Sequence, residues 1–190
     1  MKLLSVTIPS YNSQEYMEKA INSALIGGDD IEILVVDDGS SDNTLDIALK
    51  YEKKYPGIVR AIHKENGGHG STINVGIEKA QGTYFKVLDS DDWVNIGDFI
   101  EFVKRLKEET ADAVICDYRK EHVYNGKSEY FEYKDLEDGK KYNLNEIDLN
   151  ILHGEYFMMA TTTYRTEVLR ASGLKMLEKT FYVDMQYNIV

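Results

Sequence analysis

The segment Asp89-Ser90-Asp91-Asp92 gathers three carboxylates directly after the apolar run 83–88. Carboxylates this close repel one another, so the cluster gains only where something positive sits beside it, or where water screens it in a turn. Several chemistries can be tried on the spacing. As a calcium loop it fails, because Trp93 and Ile100 stand at the fifth and twelfth positions, where oxygen ligands belong. As an aspartate nucleophile for phosphoryl chemistry it is tolerable, with Asp89 attacking and Asp91 as acid, although that chemistry wants a lysine and a further acidic pair downstream. As an Asp-x-Asp clamp for a hard divalent ion on a diphosphate it fits well. Carboxylate oxygens suit Mg2+ or Mn2+, and phosphate and water complete the shell. A solvated turn is the plain alternative.

Three more polar clusters stand after apolar runs: Pro9 to Asn12, Asp37 to Thr44 and Glu65 to Gly70. The second reads as a strand–turn–helix connection, with Gly39 turning and Ser41 or Asp42 capping the next helix. It also reads as a site where Asp37 or Asp38 accepts hydrogen bonds from a base or a ribose, and both can hold together. The third resembles a glycine-rich phosphate loop. However, Gly68-x-Gly70 is followed by Ile73 where a dinucleotide fingerprint needs its third glycine, and no Walker lysine is present. Gly67 and Gly68 therefore bring backbone close to a ligand or simply shape a turn. His69 reads as a surface residue.

These clusters need elements to hold them. Runs 3–8, 31–36, 58–63 and 83–88 read as short buried strands. Helical spacing joins Met17, Ala20, Ile21, Ala24 and Leu25, then Leu45, Ala48 and Leu49, then Phe99, Phe102, Val103 and Leu106. The alternation predicts an α/β fold with a mainly parallel central sheet and helices on both faces. Ligands then gather at the C-terminal ends of the strands, where all four clusters converge. Each cluster alone is weak; their convergence is informative.

Beyond residue 118 the pattern changes. Asn125-Gly126 between Tyr- and Val-rich flanks predicts a hairpin. Residues 134–148 read as a polar surface loop running into a short helix near 145–152. A strand follows within 158–165, then a helix with Thr166 as N-cap and Gly173 at its end. The expectation is a single domain over 1–190, with a nucleotide-binding half to about 118 and a smaller α+β portion after it.

Composition sets limits. A net charge of −11 argues against nucleic acid or anionic lipid as partner. Cys116 is the single cysteine, so a reducing, cytoplasmic setting is expected, with peripheral contact at the inner membrane face as a variant. No stretch approaches the ~18 apolar residues of a membrane span, and the N-terminal run is too short, and cut by Pro9, to be a signal peptide.

Together, "VTIPSYN", "EILVVDDGSSDNT", "NGG" followed by "NVGIEKAQGTYF", and "VLDSDDW" resemble the family-2 glycosyltransferases of GT-A fold, strongly over about residues 3–118. The resemblance implies a Rossmann-like nucleotide-diphospho-sugar transferase fold with a smaller acceptor portion. Residue by residue, it implies that Pro9, Tyr11, Asn12, Asp38, Gly67, Gly68, Asn74, Asp89 and Ser90 contact the nucleotide-sugar. Asp91, helped by Asp92, would hold Mg2+ or Mn2+. The family places an arginine before the asparagine of this segment, whereas here Ile73 precedes Asn74, so that contact is missing or comes from elsewhere. A general base is implied in an "ED"-like motif, and "KTFYVDMQY" is the best match, with Asp184 as the base and Val183 in place of the acidic neighbour. Tyr182, Val183 and Met185 are expected to desolvate Asp184 and raise its pKa. Tyr156, Thr161 to Thr163 and Tyr164 are expected to border the acceptor.

The expected activity is inverting, metal-assisted sugar transfer from a nucleoside-diphosphate-sugar to an acceptor hydroxyl. A UDP-sugar is the first expectation as donor, and a carbohydrate, lipid-linked or protein acceptor as partner. The alternatives are a metal-dependent phosphohydrolase using Asp89, or a non-catalytic nucleotide- or sugar-binding fragment. The sequence stops six residues after Asp184, which reads as a catalytic domain cut from a longer protein.

Overall fold

The computed structural model describes residues 1–134, 136–143, 157–180 and 182–187. The four apolar runs form strands β1 (Lys2–Ser10), β2 (Ile31–Asp37), β3 (Val59–His63) and β4 (Gly82–Val87), paired in parallel in the order β3-β2-β1-β4. Every residue of β2 is buried, as expected of an inner parallel strand covered on both faces. Pro9 lies near the end of β1, opposite Val36, where pairing with β4 has already stopped at Thr7. A missing N–H costs least at such a place.

Side-chain alternation along the strands builds two cores. Leu4, Val6 and Ile8 of β1 and Ile31, Ile33 and Val35 of β2 pack with helices α1 (Met17–Ala24), α2 (Thr44–Lys54) and α4 (Ile96–Leu106). Leu34 and Val36 of β2, with Phe85 and Val87 of β4, pack on the other face. There they meet α3 (His69–Lys79), α5 (Thr166–Ala171) and α6 (Asp184–Tyr187). The helices lie on both faces as the sequence pattern predicts. The segment read as a glycine loop is itself the start of α3, whose first helical residue is His69.

Two short strands, β5 (Ala113–Ile115) and β8 (Thr162–Arg165), complete the six-stranded sheet, with β8 inserted antiparallel between β4 and β5. The later part of the chain thus closes the edge of the same sheet. Strands β6 (Tyr118–His122) and β7 (Lys127–Phe131) form the hairpin predicted at Asn125-Gly126, with Gly126 at φ +66. Gly173 ends α5 at φ +70, also as predicted. Thr166 is not the N-cap, which is Arg165; its hydroxyl instead donates to the buried Gly82 carbonyl at 2.7 Å. The helix expected near 145–152, and Tyr156, lie outside the described residues. Among the described residues no helix is long and apolar enough to cross a membrane.

Candidate active site at the strand ends

The register of β2 on β3 places Asp37 opposite His63, so the acidic pair Asp37-Asp38 meets the basic pair His63-Lys64 across adjacent strand ends. Asp37 accepts from His63 Nδ1 at 2.6 Å and from the N–H of Ser40 at 3.2 Å. Asp38 is only 2% exposed. Its carboxylate accepts from Lys64 Nζ at 2.6 Å, from the N–H groups of Gly67 and Gly68 at 3.0 and 2.8 Å, and from Ser71 Oγ at 3.3 Å. A carboxylate buried this deeply needs such partners, because an unpaired charge there would be costly. Sequence reading missed Lys64; the signal was a basic pair ending the third apolar run just as an acidic pair ends the second.

The β1 end is laced to the same turn. Asn12, at φ +49, donates its N–H to Ser40 Oγ at 2.9 Å and accepts on Oδ1 from the Ser41 N–H at 2.9 Å. The N–H of Asp38 reaches Ser10 O at 2.9 Å. Tyr11 is left exposed at the rim. Neither Ser41 nor Asp42 is the N-cap of α2, which is Asn43; Asp42 Oδ1 instead accepts from the Thr44 N–H at 2.9 Å, just before the helix.

The glycines of segment 67–70 make room for the chain's own later residues. A Cβ on Gly70 would stand 2.1 Å from Leu177 O, and one on Gly68, at φ +83, would stand 3.1 Å from Lys179 N. The Lys179 N–H donates to Gly67 O at 2.8 Å. Asn74, on α3, holds the backbone of Met176 through both ends of its amide, at 3.0 and 2.8 Å. Gln186 closes the strap on itself, accepting from the Leu177 N–H and donating to Lys175 O, each at 2.8 Å. Val183 and Tyr187 anchor it in the core. The amide of Asn74, expected at the nucleotide-sugar, is therefore engaged within the chain.

The acidic loop runs from β4 to α4. The Asp92 N–H closes a turn on Asp89 O at 3.0 Å, leaving Ser90 half-buried. Asn95 caps α4 by accepting from the N–H groups of Gly97 and Asp98 at 2.9 and 3.2 Å. Lys19 of α1 stands over the Trp93 ring, 2.8 Å from its centroid. Asp92 is open to water on one side and crowded by protein on the other. That partial burial, with the charges of Asp89 and Asp91, pushes its carboxyl up to about 6. The charge of Asp91 helps raise the Tyr16 phenol, after burial.

His69 connects these parts. Its Nε2 lies 2.9 Å from Asp89 Oδ1. Burial works against the imidazolium. The Asp89 hydrogen bond and the charges of Asp89, Asp184 and Asp91 outweigh it and raise His69 above the usual histidine value. Asp184, remote in sequence, thus lies within electrostatic reach of the ring that touches Asp89. The apolar cover expected over Asp184 is not formed. Asp184 is exposed, Tyr182 is 91% and Met185 59% exposed, and only Val183 turns inward. Val183 is drawn into the core with Tyr187, which leaves the residues on either side of it facing water.

Lys86 of β4 is another residue that sequence reading passed over. It is buried, its ammonium donates to Ala160 O, and burial lowers its pKa. The signal was a lone charge inside an apolar strand. Tyr164 and Thr161 to Thr163 are buried, with Tyr164 edge-on to Tyr187 at 5.2 Å, so they pack at and within the inner strand β8 rather than forming the rim of an open cleft.

A divalent cation would find oxygen donors on Asp91 and Asp92, the donor type that Mg2+ and Mn2+ prefer. Among the described residues no three His, Cys, Asp or Glu side chains are grouped to hold a metal by themselves.

The model of the glycosyl transferase family 2 matches residues 5–169. EpsH of Bacillus subtilis (strain 168), which is named as a glycosyltransferase, is 37% identical over 126 residues, 66% of this chain and 36% of the relative. The chain thus spans about a third of the length of that relative. The crystal structure of S. aureus TarS 1-349 superposes with a TM-score of 0.76 at 27% identity, covering 99% of this chain and 55% of that one. The same protein in complex with UDP-GlcNAc gives 0.70 at 25% identity, over 98% and 51%. A mannosyltransferase of Pyrobaculum calidifontis in complex with GDP-Man and Mn2+ shares the fold alone, with a TM-score of 0.65 at 18% identity over 95% and 49%. The parallel sheet with its polar strand ends is the GT-A fold, and the family match covers nearly all of it: this chain belongs to glycosyl transferase family 2.

Proposed function

We propose that this site transfers a sugar, with inversion, from a nucleoside-diphosphate-sugar to an acceptor hydroxyl on a carbohydrate, a lipid-linked glycan or a protein. The observation that carries the reading is the hydrogen bond of His69 to Asp89 of the acidic loop, with Asp184, remote in sequence, within electrostatic reach of the same ring. The UDP-GlcNAc complex of TarS supports a UDP-sugar as first choice of donor.

In this reading the β1 end and the Asp38 turn form the floor for the nucleoside, with exposed Tyr11 at its rim. Asp38 Oδ2, which accepts from the Gly68 N–H while Lys64, Gly67 and Ser71 crowd Oδ1, is the oxygen with acceptor capacity left for the base. Asp91 and Asp92 would hold the divalent ion, which would supply positive charge against the departing diphosphate. Asp184 takes the proton of the acceptor hydroxyl as it attacks, an effect worth on the order of 10²–10⁴ in rate. Its exposure suits a base that meets an acceptor arriving from solvent. The phosphohydrolase alternative is less well supported, because the Asp89 carboxylate is already engaged by His69.

The test is calorimetric binding of UDP, GDP, dTDP and CDP, each with and without Mn2+, to the wild type and Asp91→Ala. Metal-dependent binding of one nucleotide, lost in the variant, is the expected result and names the base. Binding of none of the four would overturn the reading.

A further inference from the structure

We propose that His69 contacts the diphosphate of the donor, donating from Nδ1 to an anionic oxygen while Asp89 holds Nε2. The assignment rests on the reading above and deepens it.

The first support is geometric. The Nε2–Asp89 hydrogen bond at 2.9 Å fixes the ring, while Nδ1 has no partner among the described residues and the side chain is 36% exposed. A ring held on one nitrogen and open on the other is prepared for a ligand. The second support is position. His69 is the first residue of the eleven-residue helix α3, whose positive end favours an anion beside it. That same end disfavours a cationic ring. The hydrogen bond to Asp89 and the charges of Asp89, Asp184 and Asp91 act the other way and raise the imidazole's pKa against burial, and an anionic phosphate oxygen at Nδ1 would favour the imidazolium further.

A merely structural His69–Asp89 pair, tying α3 to the acidic loop, makes a different prediction. The experiment compares binding of the nucleoside diphosphate that the wild type prefers with binding of its parent nucleoside, for wild type, His69→Phe, His69→Gln and His69→Lys. Loss of one charge-assisted hydrogen bond should weaken the diphosphate about tenfold or more in His69→Phe. The nucleoside should bind unchanged, and His69→Lys should restore most of the loss. If His69→Phe does not fold, as judged by thermal unfolding, His69→Gln against His69→Lys carries the same contrast of neutral and charged. Equal weakening of both ligands, or of neither, overturns the assignment and leaves the donor reading intact. A wild type that binds no nucleoside diphosphate overturns both.

Discussion

The amide of Asn74 grips both backbone polar groups of Met176, Nδ2 donating to its carbonyl at 3.0 Å and Oδ1 accepting from its N–H at 2.8 Å. The two residues are 102 positions apart, so one side chain on α3 stands in for a neighbouring strand. Together with the close approach of Leu177 to Gly70, this contact fixes the strap that leads to Asp184.

Cutting that contact should move the base without touching the nucleotide floor. Asn74→Ala should lower turnover at least tenfold and stability by about 1–3 kcal/mol, since it leaves strap groups unpaired. Nucleotide affinity measured by calorimetry should stay near wild type. Gly70→Ala should act in the same direction, because its Cβ would meet Leu177 O at 2.1 Å and the strap must shift.

Asp184→Asn removes the proton acceptor and keeps the shape of the side chain. Sugar transfer measured with a radiolabelled donor should fall by a factor of ~10² or more, with donor binding retained. Unchanged turnover would assign the base elsewhere.

Lys64→Met leaves Asp38 buried beside backbone donors but without its counter-ion. The expected loss is about 3 kcal/mol, read from chemical denaturation at neutral pH. Asp38→Asn made in the same background should recover part of it, since the uncompensated charge is then gone.

Glu109 gives a stability term with a defined pH window. Its hydrogen bond from Lys141, with those from the N–H groups of Ala111 and Thr110, lowers its pKa from 4.5 to about 2. A depressed folded-state value means the stabilisation is complete above the unfolded value and disappears as pH falls toward 2. Glu109→Gln should therefore lower Tm at pH 7 and converge with the wild type in strong acid. Partial exposure keeps the effect to about 1 kcal/mol.

Much of the site was legible because strand ends carry their own local signals. The polar residues after β1, β2 and β4 were read correctly as one edge, since period-2 burial and helical spacing dictate a parallel sheet. The purpose of segment 67–70 was not legible. Glycine reports only that something comes close, and here it is the backbone of Leu177 and Lys179.

The sequence by itself determined the α/β layering, the hairpin at Asn125-Gly126, the motifs at the strand ends and the family resemblance. Each follows from residue types within a few positions of one another. Tertiary structure alone decided that Lys64 neutralises Asp38 across 26 residues, that Asn74 holds Met176 across 102, and that His69 touches Asp89. It also decided that Asp184 stands open to water. Such pairings depend on which loops close on which strand ends once the core has formed, and hydrophobic periodicity, being local, carries no record of that closure.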